Sequence, residues 1–450
     1  MGPHFNTGVK SMKKFSRFVF LLPWVICTLG ALFYAYEYLL RIAPSVMTVQ
    51  LMRHYQIHAA GLGNLSAFYY YIYTPMQLVA GVLMDRYGPR RLLTLATLCC
   101  VLGSFLFAGT SILIVAQLGR LLIGFGSAFA FVGVLKLATI WLPRRYFAMY
   151  TGIATALGML GAGFGAIFMT NLVSVLGWQQ TIFIAAFLGI VLAIIIGLIV
   201  RDEPMDKYQT EKEAVDIKEV VQGLWSMLKS WQMWLVGLVG GLLYIPASAF
   251  AELWGIPYLV QAHDFSPEKA AFGMSLIFIG WALGGPIVGW FSDSTKRRNM
   301  PIAICGLMTT IFMTAIVYGP NLSPFLILTF LFLIGIFSGG QVIVFAIGKE
   351  LNLMRFSGSA IAFTNMTVML SGLILQPLIG YILDSRWNGQ MINGVRQFSA
   401  ADYQIAMVII PICLILGVFI AQFLLKETKA TSMDTSATGA EVGKVGLPEF

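Results

Sequence analysis

The chain has 450 residues, 58% of them hydrophobic and only 11% charged, with a formal net charge of +9. A water-soluble protein carries about 25% charged residues, so this chain cannot cover a globular exterior and reads as an all-α integral membrane protein. Its basic residues fall in alternate short loops rather than in one patch, which argues against a nucleic-acid partner and for membrane orientation.

Twelve apolar segments are predicted, each able to cross roughly 30 Å of hydrocarbon. In chain order they are 18–43, 60–84, 91–110, 112–140, 146–172, 179–200, 231–260, 268–291, 300–319, 323–348, 357–383 and 403–425. The first is too long for the apolar core of a signal peptide. The stretch 201–230, RDEPMDKYQTEKEAVDIKEVVQGLWSMLKS, is rich in both charges and ends in helical patterning. It divides the spans six and six, giving bundles over 1–200 and 231–427, a cytoplasmic linker between them, and a small polar tail, 428–450, expected to be disordered.

Lys10, Lys13, Lys14 and Arg17 precede span one, and every second loop is basic: Arg86, Arg90 and Arg91; Arg144 and Arg145; Lys296, Arg297 and Arg298; Lys349 and Arg355. The loops between hold only Arg53, Lys269, Arg386 and Arg396. Basic loops stay inside, so both termini are expected in the cytoplasm, with a bacterial inner membrane as the setting. Cys27, Cys99, Cys100, Cys305 and Cys413 all lie inside spans, without metal-site spacing. No metal or cofactor is expected.

Span one contains FYAYEYLLRIAPS, 33–45, with Glu37 and Arg41 four residues apart. A charge at the centre of a span costs about 2.5–3.5 kcal/mol on insertion scales. Tyr34, Glu37, Tyr38, Arg41 and Ser45 share one helical face, so the pair can turn away from lipid, and Glu-before-Arg is the favourable order. A structural ion pair, or Arg41 reaching to the headgroups, also satisfies the sequence. Pro44 is expected to kink the helix just beyond Arg41.

Span two repeats such a stripe with Ser66, Tyr70, Tyr73 and Gln77; span seven offers Tyr244, Ser248 and Glu252; span eleven has Asn365 and Gln376. Spans six and twelve carry none. Glu252 is a candidate proton site if it is buried. Arg120 in span four has Leu331 at the matching point of the second half, an asymmetry that suggests a task. Lys136 lies on nearly the opposite side of that helix and is expected to reach the cytoplasmic surface.

Between spans two and three stands GVLMDRYGPRRLL, 81–93, and between spans eight and nine GWFSDSTKRRN, 289–299. Gly81 and Gly289, Asp85 and Asp293, and Arg90 and Arg298 are each 208 positions apart, which indicates a duplicated six-span unit. Glycine permits close helix approach, Asp suits the positive end of a neighbouring helix, and Arg86, Arg90, Arg297 and Arg298 can pair with acids across the face. With Asp85 and Asp293 they form a candidate cytoplasmic gate.

GVLMDRYGPRRLL closely resembles the loop motif of the major facilitator superfamily, and Arg120-Leu-Leu-Ile-Gly124-Phe-Gly126 is similar to the family's R-x-x-x-G-x-G. The resemblance implies two pseudo-symmetric six-helix bundles rocking about a central site, with spans one, four, seven and ten around the substrate and three, six, nine and twelve peripheral. It makes Arg120 a candidate for proton coupling or conformational control. YEYLLRIAPS resembles the Y-x-D-R stretch of the anion:cation and organophosphate symporters, where the Arg holds the anion. Leu40 replaces the Asp, which moves an acidic coupling role to Glu37 or Glu252. The Gly-Pro antiporter motif of span five is not matched by GMLGAGFGA, 158–166.

With no Walker motif or nucleophile elbow, the chain reads as a non-enzyme driven by a gradient. The expected function is proton-coupled symport of a small anionic or zwitterionic organic solute: a carboxylate, phosphate ester or amino acid. Arg41, Tyr34, Tyr38, Tyr70, Tyr73, Gln77 and Asn365 are the expected substrate residues, and Glu37, Arg120 and Glu252 the coupling residues. The protein is expected to work as a monomer. Two alternatives stand beside this: proton-driven export of a drug or siderophore, and a non-transporting sensor or scaffold.

Overall fold

The computed structural model describes residues 6–203, 217–392 and 394–429. Residues 204–216 of the expected linker and 430–450 of the expected tail lie outside these, as do the side chains of Lys10, Lys13, Lys14, Arg17, Arg144 and Arg355.

Among the described residues, eleven helices are long and apolar enough to cross a membrane: Leu21–Val46, Pro89–Ala108, Leu113–Trp141, Arg145–Leu176, Trp178–Ile199, Trp231–His263, Pro267–Thr295, Asn299–Tyr318, Pro324–Glu350, Ser357–Arg386 and Ala400–Phe423. Span two, Ala59–Tyr87, has 29 residues and hence the length. Its tyrosines, Ser66, Thr74 and Gln77 dilute its hydropathy. The chain is thus a multi-pass membrane protein with the expected twelve spans.

Local chemistry sets the helix ends. The α-helix of span one stops at Ile42, and Pro44 sits in the tighter turn Ala43–Val46 that follows, because proline withholds the N–H a continuing helix needs. Gly88, at φ +80°, turns the chain between spans two and three, and Pro89 opens the next helix. Ser266 and Ser323 accept hydrogen bonds from the first-turn amides of Lys269 and Leu326 to start spans eight and ten.

One departure from all-α is a two-residue hairpin, Met391–Ile392 paired antiparallel with Val395–Arg396, between spans eleven and twelve. Gly394, at φ +79°, supplies its turn. The helical patterning at the end of the linker is real: Ile217–Lys229 is a helix whose Met227 packs with Met233, Ala360 and Phe363.

Burial separates the peripheral spans from the central ones. The most apolar window of span six is 33% buried and that of span seven 89%. Phe187, Leu188, Val191, Ile194 and Leu198 of span six, and Ile412, Ile415, Phe419 and Phe423 of span twelve, are exposed, as expected of faces turned to acyl chains.

The two halves meet mainly through span two against span eleven and span five against span eight. Away from the end that carries the two related turns, the seam is tight. A Cβ at Gly63 would strike the backbone of Gln376 and Pro377, and one at Gly380 the backbone of Ala59 and Ala60. The Asp384 carboxylate accepts from the amides of Ala59 (3.2 Å) and Ala60 (2.8 Å) across it. At the end with the turns, by contrast, a Cβ added at Gly81, Gly152, Gly289 or Gly358 would meet nothing within 4 Å. The expected close approach at Gly81 and Gly289 is therefore not made; the helices part there and converge at the far end.

Candidate functional site

The site grows from the polar face of span one. Arg41 donates from Nη2 to both Glu37 oxygens (3.0 and 3.2 Å) and from Nε to the Tyr69 hydroxyl at 3.0 Å. Tyr69 in turn donates to Glu37 Oε2 at 2.9 Å. The three side chains close a ring in which each buried charge is answered, the condition for keeping an ion pair out of water. Glu37 is 0% and Arg41 2% exposed, so the reading in which Arg41 spreads into the headgroups is not what the chain does.

Aromatic rings surround the guanidinium: the Tyr38, Tyr73 and Tyr69 ring centroids lie 4.3, 4.8 and 5.1 Å from its carbon. Tyr73 stacks on Tyr69 at 5.2 Å, and the Tyr34 hydroxyl donates to that of Tyr38 at 3.4 Å. A weakly hydrated, planar cation suits such faces. One group is left over. Arg41 Nη1 is buried without a hydrogen-bond partner among the described residues.

Glu252 forms the second centre. It lies in Pro246–Trp254 of span seven, where the helix widens to π geometry, a local form common at functional sites. Tyr70 donates to its Oε2 across the seam between the halves, and Tyr244 to its Oε1 at 3.2 Å. Glu252 is wholly buried.

Arg120 has a different job from Arg41. It donates to the Leu40 carbonyl at 3.1 Å and the Ser66 carbonyl at 3.4 Å, tying spans one and two to span four. Gly124 abuts the Tyr69 backbone and Gly126 that of Ala96, so the R-x-x-x-G-x-G stretch is the device that seats Tyr69 beside Arg41. The glycine run of span five does similar work: Gly158 lies under the Tyr34 ring and Gly161 against Ala35.

Other expected residues fall elsewhere. Asn365 Nδ2 donates to Gln77 Oε1 at 3.0 Å, a bridge between the halves nearer the basic turns. Ser45 bonds the Ile42 carbonyl, Ser248 pairs with Ser371 at 3.0 Å, and Gln376 donates to the Ser248 carbonyl; none of the three joins the cluster. Among the described residues, the expected gate residues pair within their own halves. Asp85 meets Lys136 at 2.6 Å, and Arg90 donates to the Gly197 carbonyl at 2.9 Å. Arg298 binds Asp293 at 2.6 Å and Glu350 at 2.5 Å, while Arg86 stacks on Tyr87 and Arg297 is exposed. Among the described residues, Asp85 and Asp293 thus each find an ion-pair partner on their own side.

Tyr69 is the member of this cluster that pattern reading passes over. The stripe 66, 70, 73, 77 steps past it, although Tyr69 and Tyr73 are themselves four apart at the two ends of YYYIY, 69–73.

Known proteins of the same build exist. The chain is 24% identical over 388 residues to the "Probable galactarate/D-glucarate transporter GudP" of Escherichia coli (strain K12), covering 78% of this chain and 85% of that one. It is 21% identical over 332 residues to the "Probable hexose phosphate transport protein" of Chlamydia trachomatis serovar D, covering 68% and 73%. A solved bacterial homolog of the human lysosomal transporter Spinster, in an inward-facing and occupied conformation, superposes with a TM-score of 0.70 at 15% identity, covering 89% of this chain and 96% of that one. The family profile of the Major Facilitator Superfamily matches residues 26–375. With twelve spans in two related sixes and a buried ionic cluster between them, the chain belongs to the Major Facilitator Superfamily and is a membrane transporter, not an enzyme.

Proposed function

We propose that this transporter takes up a small organic anion or zwitterion by proton symport, alternating access between the two sides of the membrane. The observation that carries the reading is the spare donor on Arg41. Tyr69 accepts from Nε and Glu37 from Nη2, while Nη1, equally buried, has no acceptor among the described residues. A buried donor left unmade is costly, and a carboxylate or phosphate oxygen is the acceptor that best suits a guanidinium edge. Tyr34, Tyr38 and Tyr73 shape the surroundings with ring faces and hydroxyls suited to a polyhydroxy acid. The names of the two relatives, a sugar diacid transporter and a hexose phosphate transporter, support the same substrate class.

The basic turns are read as cytoplasmic, with both termini inside a bacterial inner membrane. The open glycines at that end then correspond to a cytoplasm-facing state. Glu37 and Glu252 are the acids available for coupling. Export of a lipophilic drug or siderophore has no comparable observation behind it, since the glycine run of span five is engaged in packing on span one.

The test is uptake of radiolabelled D-glucarate and glucose 6-phosphate into proteoliposomes with an imposed pH gradient. Concentrative uptake that weakens in Arg41→Lys, whose ammonium cannot grip bidentately, is expected. Undiminished affinity in that variant removes Arg41 from the site; efflux in place of uptake favours the exporter; no flux of any solute favours a sensor.

A further inference from the structure

We infer that Glu252 carries the coupled proton, and that Glu37 is instead the fixed counter-ion that positions Arg41. This rests on the symport reading and assigns its coupling group.

Both acids are wholly buried, but they keep different company. Glu37 receives two hydrogen bonds from a guanidinium and one from a phenol. Putting a proton on it would strip Arg41 of its only ion-pair partner among the described residues and leave a cation stranded in a dry interior, the costly half of a broken pair. Glu252 receives two phenol hydrogen bonds, from Tyr70 and Tyr244, and makes no ion pair among the described residues.

The charges that face Glu252 do so from beyond contact: Arg41 on span one and Arg120 on span four, with Glu37 as the other acid. Protonating Glu252 therefore releases no cation, and it lifts the burden of an unpaired buried carboxylate. The formal charges of Arg41, Arg120, Glu37 and Glu252 cancel. An anion arriving at Arg41 makes the cluster negative, and a proton on Glu252 reduces that excess while the arginine ring stays intact.

Position gives this proton mechanical leverage. The Tyr70–Glu252 hydrogen bond runs from span two of the first half to the π-helical turn of span seven in the second. As an anion, Glu252 is an acceptor that holds both tyrosines; as a neutral acid it has one oxygen that donates, so the bond across the seam is rearranged.

The test uses the full chain in proteoliposomes with D-glucarate as probe and a pH-sensitive dye inside. A gradient of one pH unit supports about tenfold accumulation per coupled proton. Glu252→Gln is expected to abolish accumulation and substrate-induced proton entry while counterflow of labelled D-glucarate persists. Glu37→Gln is expected to weaken affinity, with the remaining flux still driven by the pH gradient. Accumulation in Glu252→Gln equal to that of the unaltered protein overturns the assignment. So does loss of coupling in Glu37→Gln alone, and so does loss of counterflow in Glu252→Gln, which would make Glu252 a substrate contact such as the seat of an ammonium.

A second readout needs no substrate. Acid-minus-alkaline infrared difference spectra of the purified protein should show the carbonyl band of a buried protonated carboxyl, retained in Glu37→Gln and missing in Glu252→Gln. A band that survives in Glu252→Gln overturns the assignment. If D-glucarate is not carried at all, the substrate reading fails while the spectra still judge Glu252.

Discussion

Tyr69→Phe is the sharpest probe of the site, because it deletes one oxygen and keeps the ring. The stack on Tyr73 at 5.2 Å and the faces offered to Arg41 at 5.1 Å and Arg120 at 5.3 Å survive. What goes is the acceptor of Arg41 Nε (3.0 Å) and the donor to Glu37 Oε2 (2.9 Å). Each is a hydrogen bond to a charged group, worth roughly 1.5–3 kcal/mol. Losing the Nε anchor leaves the guanidinium free to swing about its remaining contacts with Glu37, so Nη1 is no longer held ready. If binding forfeits the equivalent of one such bond, affinity falls roughly 10- to 150-fold. The assay is titration calorimetry with whichever organic acid is carried, on protein that remains monodisperse in detergent. Tyr71→Phe is the control: its hydroxyl reaches only Asn64 at an exposed position, and about a twofold change or less is expected. Equal affinities for Tyr69→Phe and the unaltered protein would refute the claim that Tyr69 preorganises Arg41.

Three further outcomes are expected. Asp85 and Lys136 are each about one-third exposed, so a double-mutant cycle of Asp85→Asn and Lys136→Met should give a coupling of only about 0.2–1 kcal/mol, read by thermal denaturation; a larger value would mean a dry contact. Arg298→Ala leaves Glu350 short of its partner in a half-buried place and should destabilise the protein by up to about 3 kcal/mol, the low end for a broken buried pair, measured by chemical denaturation. Asp384→Ala removes the acceptor for the Ala59 and Ala60 amides, a cap worth about 0.5–2 kcal/mol. Spin labels flanking that end of spans two and eleven should report a longer mean separation, and an unaltered distance distribution would deny the cap any hold on the closed end.

Much of the fold is legible in the sequence because hydrocarbon imposes a simple rule: a span must be long, apolar and helical. Span two tests that rule from the other side. Its tyrosines lower its hydropathy below that of its neighbours, yet its length, its flanking turns and the even count of spans still place it. The hairpin at 391–396 escapes the rule, because a short loop with a glycine turn leaves no trace in a pattern of apolar spans.

In the site, i, i+4 spacing correctly composes the helical face of span one, but spacing within one helix cannot say which helix supplies the third member of a network. Tyr69 therefore goes unseen, although Arg120, Gly124 and Gly126 stand out for the motif that seats it. The expected gate residues show the same limit. Asp85 and Arg298 are marked by the sequence as charged groups in need of partners, whereas the partners themselves, Lys136 and Glu350, depend on how far the helix ends have parted.

Span two works as a zip fastener between the halves. Asp384 grips its first turn, Glu252 its middle through Tyr70, and Asn365 its later part through Gln77. Toward the end with the basic turns, the outermost tooth among the described residues is a neutral amide contact, beside which Leu78 packs on the cluster of Met227, Met233, Ala360 and Phe363. Departure by the other end must first unhook a carboxylate seated on two backbone amides and braced by Arg396 at 3.2 Å. Traffic through the two mouths should therefore differ in tempo even when the solute is the same.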